Sequence, residues 1–192
     1  MSVTLTKGQK ISLEKPDGSS LTSVTMGLGW DVAKRKGLLG KLSSGSIDLD
    51  ASCMLFDAAG QLVDQVWFRQ LSSRDGSVVH TGDNRTGAGD GDDESMHVDL
   101  AKVSPQVQAL VFVVNSFTGQ SFAQVENAFC RMVNRASGQE VARYDLSAQG
   151  NHTAQIMTKV YRHGGAWKLH AIGQNCSGRT FSDLVPHAQA HL

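Results

Sequence analysis

A chain of 192 residues, 40% of them hydrophobic, is long enough to bury a substantial core and reads as one large domain spanning residues 1–192. Its 18 basic residues balance 18 acidic ones, so no overall field draws in nucleic acid or acidic lipid, and nucleic acid is excluded as a partner. The three cysteines, Cys53, Cys130 and Cys176, are odd in number, far apart and without a C-x-x-C pair, which argues against a disulfide framework, a thiol redox motif or a cysteine zinc site.

The opening reads as short strands. Val3 and Leu5 alternate with polar residues, as do Ile11 and Leu13, before a turn at Pro16-Asp17-Gly18. No hydrophobic signal core stands at the N-terminus, and no apolar run is long enough to span a bilayer; a cytoplasmic protein is the expectation. Residues 21–28 form a further strand that ends in Gly27-Leu-Gly-Trp-Asp31. The nucleotide fingerprint G-x-G-x-x-G fails there at Val32. Residues 31–41 are basic and broken by glycine, and read as a solvated loop or as a contact for an acidic partner or membrane surface.

Residues 46–56 form a strand with two unlike faces. Asp48, Asp50 and Ser52 share one side, and Leu49, Ala51, Cys53 and Leu55 share the other. Two like charges on one strand face are unfavourable without a compensating cation; the alternative is that both face water. Cys53 falls on the apolar side. A turn at residues 57–60 leads to a strand over 63–70, and residues 77–80 lead into an acidic loop.

That loop, residues 81–94, carries Asp83, Asp90, Asp92, Asp93 and Glu94 against a single base, Arg85, with Gly82, Gly87, Gly89 and Gly91 between them. Five carboxylates so close repel one another, and a tight fold needs the charge cancelled. Calcium does this with about six to eight oxygen ligands, and glycine lets backbone carbonyls turn inward to join them. The composition reads as a calcium loop or as a solvated turn, and composition alone leaves both open. An EF-hand is excluded, because Arg85 and Gly87 stand where Asp or Asn belongs and Ala88 replaces the required glycine. A calcium-binding β-helix is excluded because the loop occurs once.

After the loop, Met96, Val98 and Leu100 alternate, and Ala109-Leu-Val-Phe-Val-Val114 forms a core strand. Residues 121–133 read as a helical turn followed by a strand. Residues 156–172 form a hairpin about His163-Gly-Gly165. Strands at short intervals with few helical candidates argue a mainly β protein, an antiparallel β-sandwich with a few short helices. Among the seven histidines none forms H-E-x-x-H. His80 and His97 flank the acidic loop without its hard-oxygen character, and His187 with His191 reads as a frayed tail. No serine sits in a nucleophile elbow, and Trp30, Trp67 and Trp167 have no basic stripe between them.

Gly27-Leu-Gly-Trp-Asp31, Asp48-Leu-Asp-Ala-Ser52, the run from Gly82 to Glu94, Ala142-Arg-Tyr-Asp-Leu146 and Tyr161-Arg-His-Gly-Gly-Ala-Trp167 together resemble the tellurite-resistance TerD family, in that family's order and over nearly the whole chain. Asn115-Ser-Phe, Asn127-Ala-Phe-Cys-Arg131 and Cys176-Ser-Gly-Arg-Thr180 resemble its TerZ branch. The resemblance implies a cytoplasmic stress-response β-sandwich that binds calcium, two ions; it does not imply a demonstrated catalytic activity, and the chain is read as a non-enzyme. It also implies partners among other proteins of the tellurite-resistance system, with the membrane surface as a further place of contact. Carried onto this chain, the implied ligands are Asp83, Asn84, Asp90, Asp92, Asp93 and Glu94, carbonyls of the Thr86 to Gly89 arc, Asp48 and Asp50 from the neighbouring strand, and Asp31. Three functions remain open: a calcium-ordered interaction module, a metal-dependent phosphoester hydrolase, and a calcium-dependent lipid-surface module that uses the basic loop over residues 34–41.

Overall fold

The computed structural model describes residues 2–15, 17–32, 35–36, 42–43, 48–82, 92–145 and 150–192, with backbone alone for 31–32, 35–36, 42–43 and 126–127. The strands are β1 (Val3–Thr4), β2 (Lys10–Ser12), β3 (Ser23–Val32), β4 (Arg35–Lys36), β5 (Leu42–Ser43), β6 (Leu49–Phe56), β7 (Leu62–Val66), β8 (Val78–His80), β9 (Glu94–Asp99), β10 (Ala109–Ser116), β11 (Val125–Asn134), β12 (Glu140–Asp145), β13 (Ala154–His163) and β14 (Ala166–Cys176). One sheet runs β1-β12-β11-β3-β9-β8 and the other β2-β14-β13-β10-β6-β7; β4 and β5 form a small ladder of their own. Every pairing is antiparallel except β1 with β12, which is parallel. The mainly β antiparallel sandwich read from the sequence is the fold.

Alternation builds the core. Met26, Leu28 and Trp30 of β3, Met96 and Val98 of β9, and Cys130 and Met132 of β11 point inward. They meet Leu49, Ala51, Cys53 and Leu55 of β6 and Phe112 and Val114 of β10. The second sheet has an apolar outer face as well: Met54, Phe56, Val111, Val113 and Ile156 lie under Phe181, Leu184 and Ala188 of α1 (Phe181–Gln189). Apolar residues at that spacing make a helical stripe, and Asp183 accepts the N–H groups of Arg179 at 2.9 Å and Thr180 at 3.1 Å to start the helix. The tail expected to fray is therefore a packed helix. His191 bonds Gln174, and Lys159 grips the His191 carbonyl.

Residues 121–133 are a 3-10 turn (Phe122–Gln124) followed by β11, as the pattern indicates. The His163-Gly-Gly165 hairpin also stands, with Gly164 at φ +59° and Gly165 at φ +81°, the left-handed pair that a tight two-residue turn requires. Within the basic stretch 31–41, Arg35 and Lys36 pair with Ser43 and Leu42 instead of forming a bare loop. The polar side of β6 does not simply face water: Asp50 is 5% exposed, Ser52 is 2% exposed, and Asp48 just before the strand is half-buried.

Candidate metal centre

One end of the sandwich collects the C-terminal ends of β3 and β10 and the N-terminal ends of β6 and β9. The acidic run returns to the first sheet here, and its three consecutive carboxylates diverge. Glu94 pairs with Leu28 in the β3–β9 ladder and points inward with Met96 and Val98. Its side chain is buried, and its Oε2 accepts the Ala51 N–H at 2.7 Å. The β6–β7 ladder begins only at Cys53 with Val66, so Ala51 lies before it, and the Glu94 carboxylate satisfies that donor from the opposite sheet.

Asp93 stays on β3: its N–H donates to the Leu28 carbonyl at 2.8 Å, and its Oδ2 accepts the Trp30 N–H at 2.9 Å. Asp92 goes to the outer face of the first sheet. Arg131 Nε donates to its Oδ1 at 2.7 Å and Nη2 to its Oδ2 at 3.2 Å. That hydrogen bond leads in raising the Arg131 pKa, with the Asp92 and Glu140 charges adding to it and burial opposing it.

On the second sheet Asp50 lies opposite Asn115 in the β6–β10 register. Asn115, itself 1% exposed, donates from Nδ2 to Asp50 Oδ2 at 3.4 Å and to the Arg179 carbonyl at 2.7 Å. Asp48 is half-buried and its carbonyl accepts the Phe117 N–H at 3.2 Å. His80, buried at the end of β8, accepts the Gly82 N–H on Nδ1 at 3.1 Å. Its neutral form therefore carries the proton on Nε2, which faces Glu94 Oε2 at 3.5 Å.

The two acidic stretches thus meet: Glu94 bonds the residue that follows Asp50. Asp48, Asp50, Asp93 and Glu94 all lie at this end, but Glu94 is inside the sandwich, Asp50 is on the α1 side of β6, and Asp92 is turned to the outer face of the first sheet. Asp83, Asn84, Thr86, Gly89 and Asp90 lie outside the described residues, as does the side chain of Asp31. His80, which the sequence places beside the acidic loop but without hard-oxygen character, joins the site, as do Asn115 and Arg131, which the sequence offers only within the resemblance and with no role at this site. The signals for them were slight: an inward-phase histidine after Val78, a polar residue ending an apolar run, and an arginine alternating with Cys130 and Met132.

The carboxylates at this end offer oxygens, the hard type that calcium takes and zinc does not need. Among the described residues no group of three or more His, Cys, Asp or Glu is arranged to hold a metal ion. Asp48, Asp50, Asp93 and Glu94 offer the oxygen type that a calcium shell uses, and residues 83–90 carry further oxygens of the same kind. The thiols offer no competing chemistry, since burial pushes the Cys53 thiol up, the Cys130 thiol up to about 12 and the Cys176 thiol up to about 11.

The structure therefore defines a β-sandwich with an acidic, oxygen-lined end. The TerD domain matches residues 1–187, and the chain belongs to the TerD family. It is 51% identical to the tellurium resistance protein TerZ of Serratia marcescens over 184 residues, 95% of this chain and 94% of that protein, which makes it a TerZ-like member. It is 42% identical to general stress protein 16U of Bacillus subtilis, covering 93% of each chain. A solved structure of a TerD homologue, SCO6318 from Streptomyces coelicolor A3(2), shares the fold with a TM-score of 0.71 and 20% identity, over 86% of this chain and 96% of that one. The family is one of tellurium-resistance and general stress-response proteins. Among the described residues no helix is long and apolar enough to cross a membrane.

Proposed function

We propose that the protein is a non-catalytic, calcium-ordered interaction module, in which bound calcium shapes the acidic end of the sandwich for a partner protein of the tellurite-resistance system. One observation carries this reading: two acidic stretches some forty residues apart in sequence meet at one strand, where the buried Glu94 carboxylate accepts the N–H of Ala51, the residue that follows the buried Asp50. Burying a carboxylate is unfavourable in a low-dielectric interior, and a cation bound at this end would lower that cost for Glu94 inside the sandwich and for Asp50 on the α1 side of β6. Asp48, Asp50, Asp93 and Glu94 would hold calcium from the described residues, and Asp31, Asp83, Asn84, Asp90 and the carbonyls of Thr86 and Gly89 would complete the shell. The ion supplies the charge that lets the loop fold tightly. Glu94 ties that loop to the opposite sheet, so the ordered loop becomes part of the rigid sandwich.

Calorimetric titration of chelator-stripped protein tests the reading, since it returns stoichiometry and affinity together. Calcium is expected to raise the melting temperature. Asp50→Asn is expected to weaken binding by roughly tenfold or more while leaving the metal-free protein at least as stable as the parent, because a buried charge is gone. Identical melting in calcium and in chelator would dispose of the proposal.

A further inference from the structure

Arg131 and Gly27 stand directly opposite each other in the β11–β3 ladder, and both face the outside of the first sheet. The Asp92 carboxylate lies flat over Gly27: a Cβ there would sit 2.2 Å from Asp92 Oδ2 and 2.3 Å from its Cγ. Arg131 holds the same carboxylate with a two-pronged hydrogen bond and extends to Glu140 Oε2 at 3.6 Å. Glu140 is itself engaged by Arg143 at 3.2 Å and by the Ser2 hydroxyl at 2.7 Å. The Asp92 side chain is 13% exposed and that of Arg131 29%, so water screens the pair only in part.

Two residues later the chain has crossed the sheet, and Glu94 is inside. Asp92 thus sits on the face opposite to the one on which Glu94 reaches Ala51. The glycine leaves the space, the arginine supplies the fork, and the paired strand fixes both. A bidentate guanidinium–carboxylate pair sets orientation as well as charge.

We propose that Arg131 and Gly27 form a clamp that pins the C-terminal stem of the acidic loop through Asp92, so that Asp92 is an anchor and not a metal donor, and Arg131 is the positioning residue that places Asp93 and Glu94 for calcium. This rests on the calcium reading above. The clamp holds the stem in place before metal arrives, so less ordering remains to be done on binding.

The test compares calcium titrations of the chelator-stripped full chain in the parent, Arg131→Met, Asp92→Asn and the double variant. The clamp predicts that each single change raises Kd about three- to tenfold with stoichiometry unchanged, and that the double variant is no weaker than the singles. If Asp92 were a donor, Arg131→Met would tighten binding by removing a competing cation; tighter or unchanged binding overturns the clamp. Should Arg131→Met fail to fold, Gly27→Ala replaces it, because the added methyl displaces the carboxylate while both charges remain; it is expected to match Asp92→Asn. A parent protein that takes up no calcium refutes the calcium reading alone. The clamp is then decided by amide exchange in chelator, where residues 92–95 are expected to exchange faster in the variants, and unchanged exchange overturns it.

Discussion

Asp75 shows how much one well-placed carboxylate does in the turn before β8. Burial raises its pKa, but side-chain hydrogen bonds from Ser77 and Ser73, with backbone N–H groups from Ser104 and Ser77, outweigh this and bring it down to about 2. A depressed carboxylate contributes stability above its unfolded pKa, and that contribution is lost as pH falls through the folded value. Asp75→Asn is therefore expected to destabilise by about 1 kcal/mol at neutral pH, after discounting for solvent around an exposed side chain, with the difference vanishing between about pH 4 and pH 2. Urea melts of both proteins across that range would show it; a pH-independent difference would assign the effect to packing. His80 belongs to the same scale. Its type and position were visible in the sequence, but its contact with Glu94 depends on the register in which β8 and β9 pair across the acidic loop, and no residue pattern on either strand alone carries that.

Among the elements, α1 binds the outer apolar face of the second sheet. Leu184 is 0% exposed there, so Leu184→Ala is expected to cost about 2–4 kcal/mol in denaturant melts. Loss below about 1 kcal/mol would mean that the helix rests only lightly on Met54 and Phe56. The strands were largely legible because a two-residue period is strong wherever one face is buried, as in β9 with Glu94, Met96 and Val98 inward. The helix was not, because nine residues containing Pro186 give a weak helical signal and its partner face is made by β6, β10 and β13. Strand β6 shows the same limit. Its alternation was correct, but α1 and the segment leading into it make both faces interior, so a pattern that reads as half-solvated is fully buried.

For the whole molecule, membership in a tellurium-resistance family raises the question of thiol chemistry, since tellurium oxyanions react with thiols. Here Cys53, Cys130 and Cys176 are all free and all buried. The folded protein is expected to react negligibly with an aromatic disulfide reagent over minutes and to yield three thiols once unfolded in guanidinium. A rapid thiol in the native state would reopen direct chemistry at sulfur. Enclosed in this way, the thiols present no accessible sulfur to an oxyanion while the protein is folded. The acidic loop itself was the most legible part of the site, because its charge density is a local property. That its stem is held by Arg131 was not, because the partner lies on a strand thirty-nine positions away.

The parallel pairing of β1 with β12 closes one border of the first sheet. Val3 and Thr4 run beside Ala142 and Arg143, and the Leu5 N–H reaches the Arg143 carbonyl. Those few residues act as a selvedge along the border of the first sheet. A copy trimmed of them would leave β12 with bare amides and carbonyls, an invitation for a neighbouring molecule to stitch itself on.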